Sequence, residues 1–363
     1  MSRIKALSSF LLALVALLLP SVAPAQNLFQ RGSSLNSWST ATLDIDFTTG
    51  TLDPRLTFTR ASTATRFNAL GQMELVASGA PRFNYTGAGA PRGILLEDLR
   101  TNLLLNSLLD GTPLVTQSIA VTGGTHTLSF YGTGSITLSG AATGTLTGTG
   151  AFPSRSTLTF SPSTGTLTLS VSGTVQYAQL EVGVSDSSFI PTAGTAVTRQ
   201  PDLLLMSGSA FSSWYNTGAG VFVFDLDYLP ATTAQTNLIF AASDGSITNR
   251  VQASLNKGTA VVTATITTGG ALQATFSPGS VTGPNVGQTL ALGYALNDYA
   301  GAVNNSSPVT AASGPPPTAI DRINIGSNAV SLPGAGLHVK RFSYYPTKPL
   351  NFIVQGLSSR TAP

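Results

Sequence analysis

The chain has 363 residues, of which only 9% are Asp, Glu, Lys or Arg, with no cysteine and only two histidines. That composition excludes disulfides, thiol nucleophiles and cysteine-ligated zinc, and leaves little scope for a histidine metal site or acid–base pair. Without Arg3 and Lys5, which belong to an export signal, 16 basic residues face 15 acidic ones. Nothing in this balance indicates the electropositive surface that nucleic acid requires, so nucleic acid is not an expected partner.

Residues 1–25 read as a secretory signal peptide. Arg3 and Lys5 precede the apolar run "ALSSFLLALVALLL", and Ala23 and Ala25 form a small-residue cleavage site before Gln26. The run is shorter than the roughly 20 residues a membrane-spanning helix needs. The expected location is therefore exported, extracellular. Residues 26–40 form an irregular leader containing Trp38.

From residue 41 onward, short alternating runs are punctuated by Gly, Pro, Asn and Asp. That pattern predicts an all-β chain of two antiparallel β-sandwich, or jelly-roll, domains over 41–201 and 202–363. "ATLDIDF" opens the first, with Leu43, Ile45 and Phe47 on one face. "LTFTR", "TATRFN", "ALGQMELV", "RGILLE" and "TNLLLNS" follow. Between Ser118 and Glu181, Thr and Ser alternate with aliphatic residues, as half-buried antiparallel strands require. Ser187 to Met206 reads as a connector. The second sandwich begins at "FSSWYNTGAGVFVFDLDYLP" and closes with "LHVKRFSYYP".

The segment "FTRASTATRFNALGQ…PRFNY…APRGILLEDLRTNLLLNS" resembles a module of phage and prophage fibre and head-spike proteins. The matching elements are Arg60-Ala61-Ser62, Ala64-Thr65, Gly71, Pro81-Arg82-Phe83, Tyr85, Gly93 to Glu97, and Arg100 to Leu104. In such proteins a carbohydrate-binding-module-like sandwich follows and closes with a run matched here by Gln179-Leu180-Glu181, Gly183 and Ser188 to Thr192. The C-terminal half resembles a concanavalin A-like, laminin-G-like jelly roll. The resemblance implies recognition of a cell-surface glycan, other particle or appendage proteins as partners, and a homo-oligomer, with a trimer as in many fibres. A signal peptide departs from the family's pattern and leaves virion, gene-transfer particle and bacterial surface all open.

Six arginines (Arg55, Arg60, Arg66, Arg82, Arg92 and Arg100) crowd into this segment, accompanied by Asp53, Glu74, Glu97 and Asp98. A guanidinium is a planar fork of five donors suited to carboxylates and backbone carbonyls. Internal bracing is the expected role, ahead of ligand contact.

For catalysis the sharpest candidates are Asp225 and Asp227 of "VFVFDLDY". In a strand they share a face, with Cα atoms roughly 6.5–7 Å apart, within the spacing of glycosidase carboxylates. The simpler reading is the solvent-facing side of an amphipathic strand, opposite Phe222, Phe224, Leu226 and Tyr228. For ligand contact the candidates are Asp244, Asn249 and Arg250 around an Asp-Gly turn, Tyr299, Asn304 and Asn305 of a polar loop, and Tyr215 beside a core Trp214. No cofactor is expected; a structural calcium ion at Asp244 would need several further oxygens. His126 is placed at a sandwich margin and His338 at the start of the closing strand. Recognition of a surface polysaccharide is the expected function, with a polysaccharide-degrading glycoside hydrolase and a purely structural particle protein as alternatives.

Overall fold

The computed structural model describes residues 40–231, 235–328 and 336–359. The expected signal peptide, residues 1–25, and Trp38 fall outside them. The fold is all-β, built from antiparallel sheets that enclose two hydrophobic cores.

The larger sandwich faces an eight-stranded sheet against a seven-stranded one. Arg250–Asn256 and Val261–Thr268, in the seven-stranded sheet, alternate buried and less buried residues, as strands with one covered face do. Gly220–Tyr228, central in the other sheet, is buried along its whole length. Phe222, Phe224, Leu226 and Tyr228 point into the larger core, and the opposite face is covered as well. Asp225 and Asp227 are each only 3% exposed. The amphipathic, solvent-facing reading of that strand is therefore corrected.

The smaller sandwich packs a four-stranded sheet on a three-stranded one around Leu128, Phe130, Ile136, Leu167, Leu169 and Leu180. Threonine and serine pair between neighbouring strands within each sheet: Ser118 with Thr168 at 2.8 Å and Thr127 with Thr159 at 3.2 Å. Cross-strand pairs of this kind are the unit of sheet stabilisation, which accounts for the Thr/Ser-rich composition of this stretch.

The expected division at 201/202 does not separate the sheets. Leu43–Asp46 and Pro91–Leu96 both pair with Leu337–Tyr345, and Thr57–Thr59 pairs with Leu203–Ser207. Much of residues 41–100 thus belongs to the larger sandwich, and the smaller one is inserted within it. Of "TNLLLNS", only Thr101 and Asn102 join a strand, Arg100–Asn102, which pairs with Val197–Arg199. "AVNNSSPVT" is interrupted by a turn between Asp298–Val303 and Val309–Ala311. A seven-residue helix, Asn351–Leu357, follows the closing strand.

The crowded arginines brace the structure. Arg55 pairs with Asp53, Arg66 with Glu74 and Arg100 with Asp98, all within the segment. Arg92 reaches Asp227. Where the two sandwiches meet, Arg60 and Arg82 share Asp202, while Arg82 and Arg199 share Glu97 at 2.7 and 2.6 Å. All five of these side chains are fully buried. Ser188 completes the set, donating from its backbone N–H and Oγ to Glu97 at 2.8 and 2.6 Å. Burial would raise the Glu97 carboxyl, but Arg199, Arg82 and Ser188 outweigh it and hold the group well below the usual carboxylate range. Glu97 therefore contributes stability above its unfolded pKa of about 4.3, lost as pH falls below that value.

Glu181, fully buried beside the junction, behaves oppositely. Burial pushes its carboxyl up to about 7 despite Arg100 and Arg155.

Removing one member of a buried ion pair strands its partner, at a cost of about 3–5 kcal/mol. Arg82→Met should lower unfolding free energy by that amount in urea titration, whereas Arg55→Met, in a partly exposed pair, should change it by about 0–1 kcal/mol. Glu181 gives a pH signature. Between an unfolded pKa of about 4.3 and the folded value of about 7, the folded state holds a proton the unfolded state has lost, so this group's contribution falls as pH rises. Glu181→Gln removes that titration. Its stability relative to wild type should climb between pH 4.5 and 7 by up to roughly 3 kcal/mol, then level off.

Candidate functional site

A cleft of about 590 Å³, lined mostly by polar residues, opens on the outer face of the eight-stranded sheet. Its walls come from distant parts of the chain: Asp225 and Leu226, Thr282, Gly287 to Thr289, Asn304 and Asn305, Lys340, and Ser358 and Ser359. Among the described residues no aromatic ring lines it.

The frame of the cleft is fixed by hydrogen bonds. Thr289 stands opposite Asp225 in the sheet and donates from Oγ1 to its carboxylate at 2.7 Å. Asn304 and Asn305 both have positive φ, 51° and 62°, and the Ser306 N–H donates to the Val303 carbonyl at 2.9 Å. This is a type I′ turn, whose two left-handed central positions asparagine tolerates well. The Asn304 side chain ties the turn to the sheet, accepting from the Thr289 N–H at 2.9 Å and donating to Gln288 Oε1. The Asn305 N–H donates to Ser358 Oγ at 2.9 Å, docking the end of the Asn351–Leu357 helix. The side chains of Asn305 and Lys340 enter no hydrogen bond or ion pair among the described residues.

Of the sequence candidates, the structure thus brings Asp225, Asn304 and Asn305 to one cleft. Asp227, two residues from Asp225, does not line it. Asp227 is bound by Arg92 and lies 2.8 Å from His338 Nδ1. The proton on that imidazole follows from its surroundings. Asn84 Oδ1 accepts from the Phe67 N–H, so Asn84 Nδ2 faces His338 Nε2 at 2.8 Å and donates to it. Nε2 is then an acceptor, and Nδ1–H donates to Asp227. Burial lowers the His338 pKa against the pull of Asp227, consistent with a neutral ring. Asp227 itself, though burial opposes it, is held well below the carboxylate range by His338 and Arg92. It cannot serve as a protonated general acid near neutral pH.

His338, Arg92 and Asn84 border a second cavity, of about 370 Å³, where the two sandwiches meet. Its arginines, Arg66, Arg92 and Arg155, already face Glu74, Asp227 and Asp186.

The remaining candidates lie elsewhere. Tyr299 is fully buried, its hydroxyl donating to the Gly314 carbonyl at 3.1 Å. Tyr215 packs its ring among Phe211, Phe222, Tyr294 and Tyr344. Tyr299 is a core residue and Tyr215 is a half-buried ring packed against the core, so neither presents the open ring expected of a binding surface. Asp244 spends its carboxylate within its own turn, accepting from the Ser246 N–H and Oγ and from Asn249 Nδ2. Asn249 Oδ1 accepts from the Gly269 N–H, and the Arg250 Nε is buried without a partner. Among the described residues no cluster of three or more His, Asp or Glu is placed to hold a metal ion.

No protein-family profile matches the chain, and no curated protein sequence does. Solved structures similar to part of it include the NanB sialidase of Streptococcus pneumoniae, at TM-score 0.34 and 14% identity over 42% of this chain and 26% of that one. The binding domain of botulinum neurotoxin DC in complex with SialylT matches at TM-score 0.33 and 7% identity, over 43% of this chain and 40% of that one. The CBM40 domain of the Ruminococcus gnavus IT-sialidase, bound to α2,6-sialyllactose, matches at TM-score 0.33 and 13% identity, over 41% and 87%. The chain thus spans well under half the length of the sialidase and of the toxin domain.

Lys340, Gln288, Thr289 and Ser358 were not singled out in the sequence. One signal was present for Lys340. In "LHVKRFSYY" the core positions are Leu337, Val339, Phe342 and Tyr344, and the widened step between Val339 and Phe342 marks a bulge.

The Asn304 side chain can be tested apart from its turn geometry, because glycine also adopts positive φ. Asn304→Gly should cost about 1–2 kcal/mol and should speed amide exchange at Thr289, the N–H it holds.

Proposed function

We propose that the protein is an exported carbohydrate-recognition protein that binds a cell-surface polysaccharide reversibly in this cleft. The observation that carries the reading is the cleft's lining: side-chain amides, hydroxyls, one carboxylate and one ammonium on a hydrogen-bonded frame. Sugar hydroxyls both donate and accept, and a wall mixing Asn305, Asp225, Ser358 and Lys340 meets both needs. The phage-fibre-like motifs support the further proposal that it is displayed on a phage-like particle or bacterial appendage. There it would associate with other structural proteins and as a homo-oligomer, with a trimer favoured, so that several copies engage one polysaccharide.

Binding is favoured over hydrolysis by the separation of the two aspartates. Glycoside hydrolysis needs two carboxyl groups flanking the bond, one of them protonated. Only Asp225 lines the cleft among the described residues, and Asp227 is engaged by Arg92 and His338.

The test mixes the purified protein with bacterial surface polysaccharides and records binding and polymer length in the same samples. The expected result is binding with length unchanged, weakened about tenfold or more by Asn305→Asp or Asn305→Ala. Shortened polymer would establish hydrolysis instead, and undiminished binding by both variants would remove the cleft from the account.

A further inference from the structure

We infer that Lys340 sets the specificity of this cleft, and that the saccharide it takes carries a single negative charge, a carboxylate. The inference rests on the reading of the cleft as a saccharide site.

Lys340 occupies a singular position in its strand. On one flank of Leu337–Tyr345, Leu226 pairs with Val339 and Asp225 with Arg341, so the register steps over Lys340. On the other flank Pro91–Leu96 pairs only as far as Val339, and Leu43–Asp46 takes over from Arg341. Lys340 is thus the residue of this strand with no register partner on either side among the described residues. It is the extra residue of a β-bulge, the device by which a sheet re-aims one side chain.

The bulge has its own sequence requirement. Gly93 passes close beneath it with φ +83°, and a Cβ there would lie 2.1 Å from the Val339 carbonyl oxygen and 2.8 Å from the Lys340 Cα. Only glycine admits that approach. The glycine that opens "GILLE" is therefore part of what places Lys340 in the cleft.

Chemistry then decides the ligand class. Arg341 and Lys348, neighbours of Lys340 in sequence, are paired with Asp44 and Asp298. Lys340 lines the cleft with no hydrogen bond or ion pair among the described residues. A neutral sugar leaves an ammonium with ordinary hydrogen bonds, whereas an anionic one gives it a charge-assisted bond roughly twice as strong. Asp225 in the same cleft disfavours a phosphate, which carries about −1.5 to −2 charges at neutral pH. A monoanion remains, either a carboxylate or a sulfate ester. The carboxylate is favoured because its oxygens are far more basic than those of a sulfate ester and so accept the stronger charge-assisted hydrogen bond from Lys340.

The test uses the full protein with polygalacturonate, alginate and hyaluronan, each as the native polymer and after reduction of its carboxyl groups to alcohols. Dextran sulfate forms the sulfate arm. Wild type should bind at least one native polymer about 10–100-fold more tightly than its reduced form. Lys340→Met should lower the native-to-reduced affinity ratio to about one, with only a modest loss on the reduced polymer, and Lys340→Arg should restore most of the ratio. A urea unfolding midpoint equal to that of wild type shows that the variant keeps its fold. If Lys340→Met leaves the native-to-reduced ratio intact, the assignment of Lys340 is overturned while the saccharide reading stands. Tighter binding of dextran sulfate than of every carboxylated polymer would overturn the carboxylate. Failure to bind any of these polymers, native, reduced or sulfated, would overturn the saccharide reading itself.

Discussion

The structure depends on the buried ion network at the junction, where Arg60, Arg82 and Arg199 converge on Glu97 and Asp202. Glu97 and Asp202 are also the two points where the chain leaves the larger sandwich and returns to it. They are bonded to each other through the backbone: the Asp202 N–H donates to the Glu97 carbonyl at 3.0 Å, and the Glu97 N–H to an Asp202 carboxylate oxygen at 2.9 Å. The inserted sandwich is therefore closed at its base before any side chain from the flanking segments is added. Arg60 and Arg82 then bind residues 41–100 to this clasp, and Arg199 binds the returning connector. A chain without cysteine has no covalent way to make such a joint. The cost of desolvating five charges is met here by close mutual pairing and by Ser188.

This arrangement explains why the strands were legible in the sequence and the domain division was not. Alternation is a local property, so Arg250–Asn256 or Gln117–Val121 can be read from a handful of residues. Insertion is not local. Leu43–Asp46 pairs with Leu337–Tyr345 across nearly 300 residues, and nothing within either segment specifies the other. The arginines fared better because their partners were partly nearby. Asp53, Glu74, Glu97 and Asp98 could be matched by proximity in sequence, whereas Asp202 and Asp227 could not.

The candidate site was legible to a lesser degree, for the same reason. That Asp225 and Asp227 share a face follows from strand periodicity alone. That they serve different surroundings follows from what covers them: Arg92 and His338 close over one, Thr289 and the Asn304–Asn305 turn border the other. Tyr299 and Tyr215 were drawn toward the surface by polar neighbours in sequence, yet Tyr299 is buried and the Tyr215 ring packs half-buried against rings contributed from elsewhere. In general a residue's partners along its own strand can be read, and its cover across the sheet cannot.

The same rigidity that builds the cleft bears on how tightly it can hold a ligand. Thr289, Gln288 and Asn304 are already satisfied by one another, so they shape the wall and keep it in place without offering new bonds. What remains for a ligand is a small number of groups, chiefly Asn305 and Lys340, in a cleft without an aromatic platform. Preorganisation lowers the ordering cost of binding, but few unspent donors and acceptors limit the gain from each encounter. A site of this kind favours fast, reversible contact with one short stretch of polymer. The strength needed to hold a particle or a cell to a surface would then come from several copies acting on a repeating ligand, where each further contact is made at high effective concentration.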